Sequence, residues 1–326
     1  MVSLPLIEVS KIPYVDINNL HGRTLSTLSF YADGEWKMWI PVEGKLHPIK
    51  GWPFEGFYFA TRPEKEDDAY FEFLNFMAQQ ACWPNVVPCL IGIRDDLFNM
   101  AASMRKFKVL FEASSLYQTE SSRFVVTELE YLFALCRSLF DLLQELISKQ
   151  WDNVQLIDQS IKKKALPKTF SKLLLHDNKL RTAEEISSKF VIPGELASYY
   201  ERNGAFFQVL RTFRDRFVHG GSSIESVFVT EKGFAVSAST EPFSQFGVWN
   251  KEHQLENGLC SLRPVIAHIV LKTLEACEDY AHTIQKVIKY PPPMVPDMFF
   301  YMRGPFTSEF HTLHPVLNQC KWWADA

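Results

Sequence analysis

Residues 121–150 set the firmest limit on how this chain can fold. Leu129, Leu132, Phe133, Cys136, Leu139, Phe140, Leu143 and Ile147 recur every three or four residues. That spacing lines one face of an α-helix. Arg137, Asp141 and Glu145 fall four apart on a polar stripe of the same helix, and Ser121-Ser122 stand where its cap belongs. Two further long helices follow. One starts with Pro193 near its first turn and runs to His219, where Gly220-Gly221 end it. The other spans Leu259 to Ile288, with Val265, Ile269, Leu274, Cys277, Ala281 and Ile284 on its apolar side and Pro264 tolerated in its first turns. Shorter helices are expected from Pro167 to about His176 and from Thr182 to Phe190, the latter with Glu184-Glu185 in its first turn.

Strand patterns frame these helices. Arg23 to Phe30 alternates, Ala32-Asp33-Gly34 reads as a turn, and Trp36 to Val42 follows, so a hairpin is expected. Gly56 to Thr61 reads as a further strand. Two helical pieces come next, one entered through the acids of residues 64–68 and one opened by Asp95-Asp96. Ile224 to Ser237 reads as a second hairpin around Glu231-Lys232-Gly233. The fold class expected is α+β: a mainly α-helical bundle with a β-hairpin insertion near residues 222–238, preceded by a small β-containing N-terminal region. Along the chain this gives an N-terminal region of residues 1–118, a helical domain of residues 119–290 and a Pro- and aromatic-rich tail of residues 291–326. The tail carries Pro291-Pro292-Pro293, then Phe299, Phe300, Phe306, Phe310, Trp322 and Trp323. Aromatics at that density predict docking on the protein's own surface.

Composition narrows the function classes. The 326 residues carry a net charge of −4, which is not the footprint of a protein that coats nucleic acid or an anionic membrane. Any nucleic-acid contact must come from a local patch. No apolar run reaches the roughly 18–20 residues needed to span a bilayer, and residues 1–13 lack a basic start followed by an apolar stretch. A cytoplasmic protein without membrane partners is expected. The cysteines at 82, 89, 136, 260, 277 and 320 form no C-x-x-C pair and read as reduced, buried thiols. Gly-rich phosphate loops, Gly-x-Ser-x-Gly and His-Glu-x-x-His are all missing. No metal-ligand cluster is evident, so no metal and no cofactor are expected.

The segment Phe206 to Gly221, FFQVLRTFRDRFVHGG, concentrates the chemistry. Wound at 3.6 residues per turn, it puts Phe206, Leu210, Phe213 and Phe217 on a core seam and Gln208, Arg211, Asp215 and His219 on the opposite face. Arg211, Asp215 and His219 stack as cation, anion and imidazole. A helix C-terminus and a carboxylate four residues back would both raise the imidazole pKa, which suits general acid–base work. Arg211 and Arg214 could hold a phosphate through paired N–H donors. The bland alternative is a histidine that merely precedes a glycine cap. A second match to the spacing, Arg263 to His268, lies in an apolar helix with Pro264 after the arginine and is set aside.

Arg214-Asp215-Arg216-Phe217-Val218-His219, near the end of a long helix, resembles the signature of the HEPN superfamily (higher eukaryotes and prokaryotes nucleotide-binding domains): arginine, a polar residue, a short spacer and histidine. The surrounding order of TELEYLFALCRSLFDLLQEL, LPKTFSKLL, the motif helix and SLRPVIAHIVLKTLEACEDYAHTI is similar as well, and the resemblance covers about residues 119–290. It implies a HEPN-like helical bundle, a homodimer, and a metal-independent endoribonuclease of the toxin or abortive-infection kind. Arg214 and His219 would be the catalytic pair, with Asp215 orienting them. Arg211, Arg216 and Lys163 are the candidate RNA-binding residues, RNA the expected partner, and an antitoxin or regulatory protein a further one. The alternative within the same resemblance is a non-catalytic dimerisation or nucleotide-binding scaffold.

Overall fold

The computed structural model describes residues 4–116, 120–219, 226–319 and 322–325, and the side chains of Val218 and His219 lie outside that description. In chain order the helices are α1 (Leu6–Val9), α2 (Glu72–Gln80), α3 (Val87–Glu112), α4 (Ser121–Gln150), α5 (Phe170–Leu174), α6 (Ala183–Phe190), α7 (Gly194–His219), α8 (Arg263–Val287) and α9 (Leu313–Asn318). The strands are β1 (Ser29–Ala32), β2 (Glu35–Val42), β3 (Lys45–Ile49), β4 (Gly56–Ala60), β5 (Ala69–Tyr70), β6 (Gln155–Leu156), β7 (Leu175–His176), β8 (Lys179–Leu180), β9 (Phe228–Thr230), β10 (Gly233–Ser237), β11 (Leu259–Ser261), β12 (Ile288–Lys289) and β13 (Phe299–Arg303). The fold is α+β. No helix among the described residues is long and apolar enough to cross a membrane.

Local chemistry accounts for the helix limits. Thr182 caps α6 through a reciprocal box: its hydroxyl accepts from the Glu185 amide, and the Glu185 carboxylate accepts from the Thr182 amide. α3 begins at Val87 and not at Asp95-Asp96, because Pro84 and Pro88 sit in opening turns where a missing N–H costs nothing. α8 begins at Arg263 and not at Leu259, because residues 259–261 are drawn into a sheet.

Packing divides the chain into two units that do not follow the linear segments 1–118, 119–290 and 291–326. The first comprises Met1–Gly92, Leu142–Tyr200 and Glu278–Ser308. Its six-stranded sheet has the order β3-β2-β1-β4-β13-β5, with β1 and β4 parallel and the other pairs antiparallel. Asp33-Gly34 and Glu43-Gly44 have positive φ at both central positions, the two-residue turn that matches strand twist. The second of these turns adds β3, which the sequence reading left out; Pro48 is accommodated there because β3 is an edge strand. β13 comes from the segment expected to be a tail, yet it lies inside the sheet between β4 and β5. The proline-rich approach to it is held by Gln79, whose amide donates to the carbonyls of Val295 and Met298 and accepts from the Val295 amide.

Alternation sorts the aromatics of this sheet onto two faces. Phe30, Phe57, Phe59 and Phe300 stack on one, with ring centroids 4.9–5.6 Å apart. Tyr31, Trp36, Tyr58 and Tyr301 share the other. Arg303 lies on that second face, its guanidinium 4.7 Å from the Trp36 ring centroid. It grips Asp68 with two nitrogens, at 2.9 and 2.6 Å, and pairs with Glu64. Tyr58 donates to the same Asp68 carboxylate at 2.6 Å and accepts from the Glu64 amide. The acids at 64–68 are therefore not simply a solvated helix entry: Asp68 is 5% exposed.

The second unit comprises Ile93–Asp141, Glu201–Cys277 and Glu309–Ala326. Phe133 packs on Phe213 at 4.0 Å between centroids and Phe140 on Phe207 at 5.5 Å. The expected hairpin is present as β9 and β10, and β11 extends it to three strands in the order β11-β10-β9. Phe234 and Phe111 pack on Trp323. Gly233 makes that possible: it has φ +144, and a Cβ there would lie 2.6 Å from Trp323 Cε3.

Gly233→Ala should therefore destabilise the protein by about 1–3 kcal/mol, from overpacking and backbone strain together. Urea unfolding followed by tryptophan fluorescence measures it. Arg303→Ala, which strands two carboxylates, should cost more, about 3–5 kcal/mol in the same assay.

Candidate functional site

α7 brings three of the expected site residues together. Asp215 accepts from Arg214 at 2.9 Å and pairs with Arg211 Nε at 3.4 Å. The i,i+4 spacing makes the second contact a property of the helix itself. The three side chains are 30–37% exposed. Pairs this wet contribute at most about 1 kcal/mol each to stability, so the cluster is free to serve another purpose. A carboxylate between two guanidiniums fixes their positions and leaves further N–H donors for an anion. His219 closes α7, and its side chain lies outside the described residues.

The seam of this helix keeps Leu210 and Phe213 from the expected line but takes Phe207 in place of Phe206. Phe207, Leu210 and Phe213 are fully buried, whereas Phe206 and Phe217 are only partly so. Phe207 is claimed by Phe140 and by the Arg137 guanidinium over its ring.

Lys163 belongs to the first unit and has another task. Its ammonium donates to the carbonyls of Trp151 and Val154 and sits 5.8 Å from the Trp151 ring centroid. It caps a loop. Arg263 and His268 are likewise structural. Arg263 donates to the Trp322 carbonyl, and His268 lies 5.3 Å from the Phe246 ring, where burial pushes its pKa down.

Two features of the second unit escaped the sequence reading. The first is a cavity of about 490 Å³ lined from α7 by Gln208, Phe213 and Arg216, and from a facing loop by Glu241, Pro242 and Gln245. Gln208, Thr212 and Arg216 recur every four residues, so the α7 side was legible; the loop side was not. The second is Asp96. Read as a helix start, it is instead mid-helix and half-buried, with Oδ2 lacking a hydrogen-bond partner among the described residues. Burial pushes its carboxyl up to about 6, and Asp95 adds to this, against a hydrogen bond to Ser138.

Burial also pushes the thiols of Cys82 and Cys136 up to about 12, which suits inert core cysteines. Among the described residues no group of three or more His, Cys, Asp or Glu side chains is placed to hold a metal ion. Set against family models, curated proteins and solved structures, the chain matches none.

Because the folded pKa of Asp96 lies above its unfolded value, the folded state holds more protons between about pH 4 and pH 6, and stability falls as pH rises through that window. Asp96→Asn should flatten that slope and raise stability at pH 8 by on the order of 1–3 kcal/mol. Urea titrations of both proteins at pH 4 and pH 8 measure the difference.

Proposed function

We propose that this chain is a metal-independent endoribonuclease of HEPN type, of the toxin or abortive-infection kind, acting as a homodimer. The observation that carries the reading is the Arg214-Asp215 pair near the end of α7, five residues before His219, with Asp215 holding both Arg214 and Arg211. On this reading the bundle of long helices is HEPN-like, RNA is the substrate and an antitoxin or regulatory protein is a further partner.

The chemistry needs three groups. A base takes the proton from the ribose 2′-hydroxyl. The oxygen attacks phosphorus, the P–O5′ bond breaks, and an acid protonates the departing 5′-oxygen, leaving a 2′,3′-cyclic phosphate. A cation offsets the charge that develops on the phosphorane. Arg214 supplies the cation, positioned by Asp215. One His219 supplies the base and the two-fold mate's copy the acid, so a dimer completes the site. Arg211 and Arg216 hold flanking phosphates, which makes binding weaken with salt. The net charge of −4 favours the second reading, a non-catalytic scaffold of the same architecture.

The purified full chain should cleave RNA in EDTA and leave 2′,3′-cyclic ends. Specific activity should rise with protein concentration through the dimerisation range. Arg214→Ala and His219→Ala should each lower the rate about 10²–10⁴-fold with the circular dichroism spectrum unchanged. No cleavage by a folded, dimeric wild type, or cleavage indifferent to both substitutions, overturns the ribonuclease reading.

A further inference from the structure

The cavity beside α7 has a composition that selects a ligand. Its volume, about 490 Å³, falls in the range of small-molecule sites. Phe213 and Pro242, both buried, supply apolar surface. In the polar lining Glu241 offers only acceptors and Arg216 only donors, whereas Gln208, Thr212 and Gln245 offer both. The Glu241 carboxylate is already oriented. Ser244 Oγ donates to its Oε1 at 2.7 Å, and the Gln245 amide donates to its Oε2. Each oxygen keeps lone-pair capacity for a further donor.

A flat ligand that presents two adjacent N–H donors matches the carboxylate end of this lining. Among the nucleobases guanine alone does so, with N1–H beside the exocyclic N2–H₂ and O6 next to them. Adenine and cytosine set a single amino donor beside a ring acceptor, and uracil sets one N–H between two carbonyls. We propose that the cavity between α7 and the Pro242 loop binds a guanine nucleotide. Glu241 reads the N1–H and N2–H₂ edge, and the exposed Arg216 takes the phosphate.

Free nucleotide and a guanosine within RNA share this chemistry. The RNA form rests on the ribonuclease reading; binding of the free nucleotide does not. Calorimetric titration of the full chain with GMP and with AMP tests the site directly. GMP should bind about tenfold or more tighter. Glu241→Gln should abolish that preference, and Arg216→Ala should weaken both nucleotides alike. A 2′-O-methyl oligonucleotide, which the proposed chemistry cannot cleave, is then titrated with a single guanine or adenine at one position. The same preference there assigns the site to RNA. A preference confined to GMP supports the site as one for a free nucleotide. Equal binding of GMP and AMP by the folded wild type, no binding of either, or a preference that survives Glu241→Gln overturns the proposal. Absence of RNA cleavage alongside a retained GMP preference removes the ribonuclease reading and leaves the nucleotide site standing.

Discussion

In the first unit a guanidinium is carried into an aromatic sheet face, and much around it serves to neutralise that charge. Arg303 is 5% exposed, and a buried cation without partners would be prohibitively costly. Asp68 and Glu64 meet it from 235 and 239 residues away along the chain. Satisfying it also brings the segment before β5 onto the Tyr58 hydroxyl and seats β13 between β4 and β5. A hydrophobic side chain of similar size could fill the same space, but it would not specify which strand lies beside which. The ion pair contributes registry more than raw stability.

Most helices were readable in the sequence, because their signal is local. The three-to-four spacing of α4 and the capping residues of α6 each act within a few residues of one another, while the glycine pair expected to end α7 lies outside the described residues. Strands were readable where a turn announced them, as at Asp33-Gly34, and in the aromatic run of β4. β5 and β11 are short, and the partners of β13 lie far along the chain. Phe299 to Arg303 looks like an aromatic tail until β4 is placed beside it. Leu259 to Ser261 looks like the start of α8 until β10 draws it away. In both cases tertiary pairing overrides a local preference.

The candidate site divides along the same line. Arg211 and Asp215 are one helical turn apart, so their contact follows from spacing, and Arg214 reaches the same carboxylate from the adjacent position. Lys163 shows the limit of such reasoning. A lysine run suggests a basic surface, but nothing near it in sequence reveals that its ammonium will be spent on the carbonyls of Trp151 and Val154. Glu241 was unreadable for the opposite reason: it gains significance only from the helix facing it. Asp96 was misread because a helix beginning at Val87 turns an expected cap into a half-buried carboxyl.

The position of β13 also bears on how the chain is made. A ribosome releases residues 56–70 more than two hundred residues before it releases 299–303. Through that interval β4 and β5 lack the strand that joins them, and each presents unpaired backbone groups beside phenylalanine and tyrosine side chains. Open edges of this kind invite pairing with other chains. The sheet can close only once residues 299–303 have emerged, so this unit matures late even though most of its strands are made first.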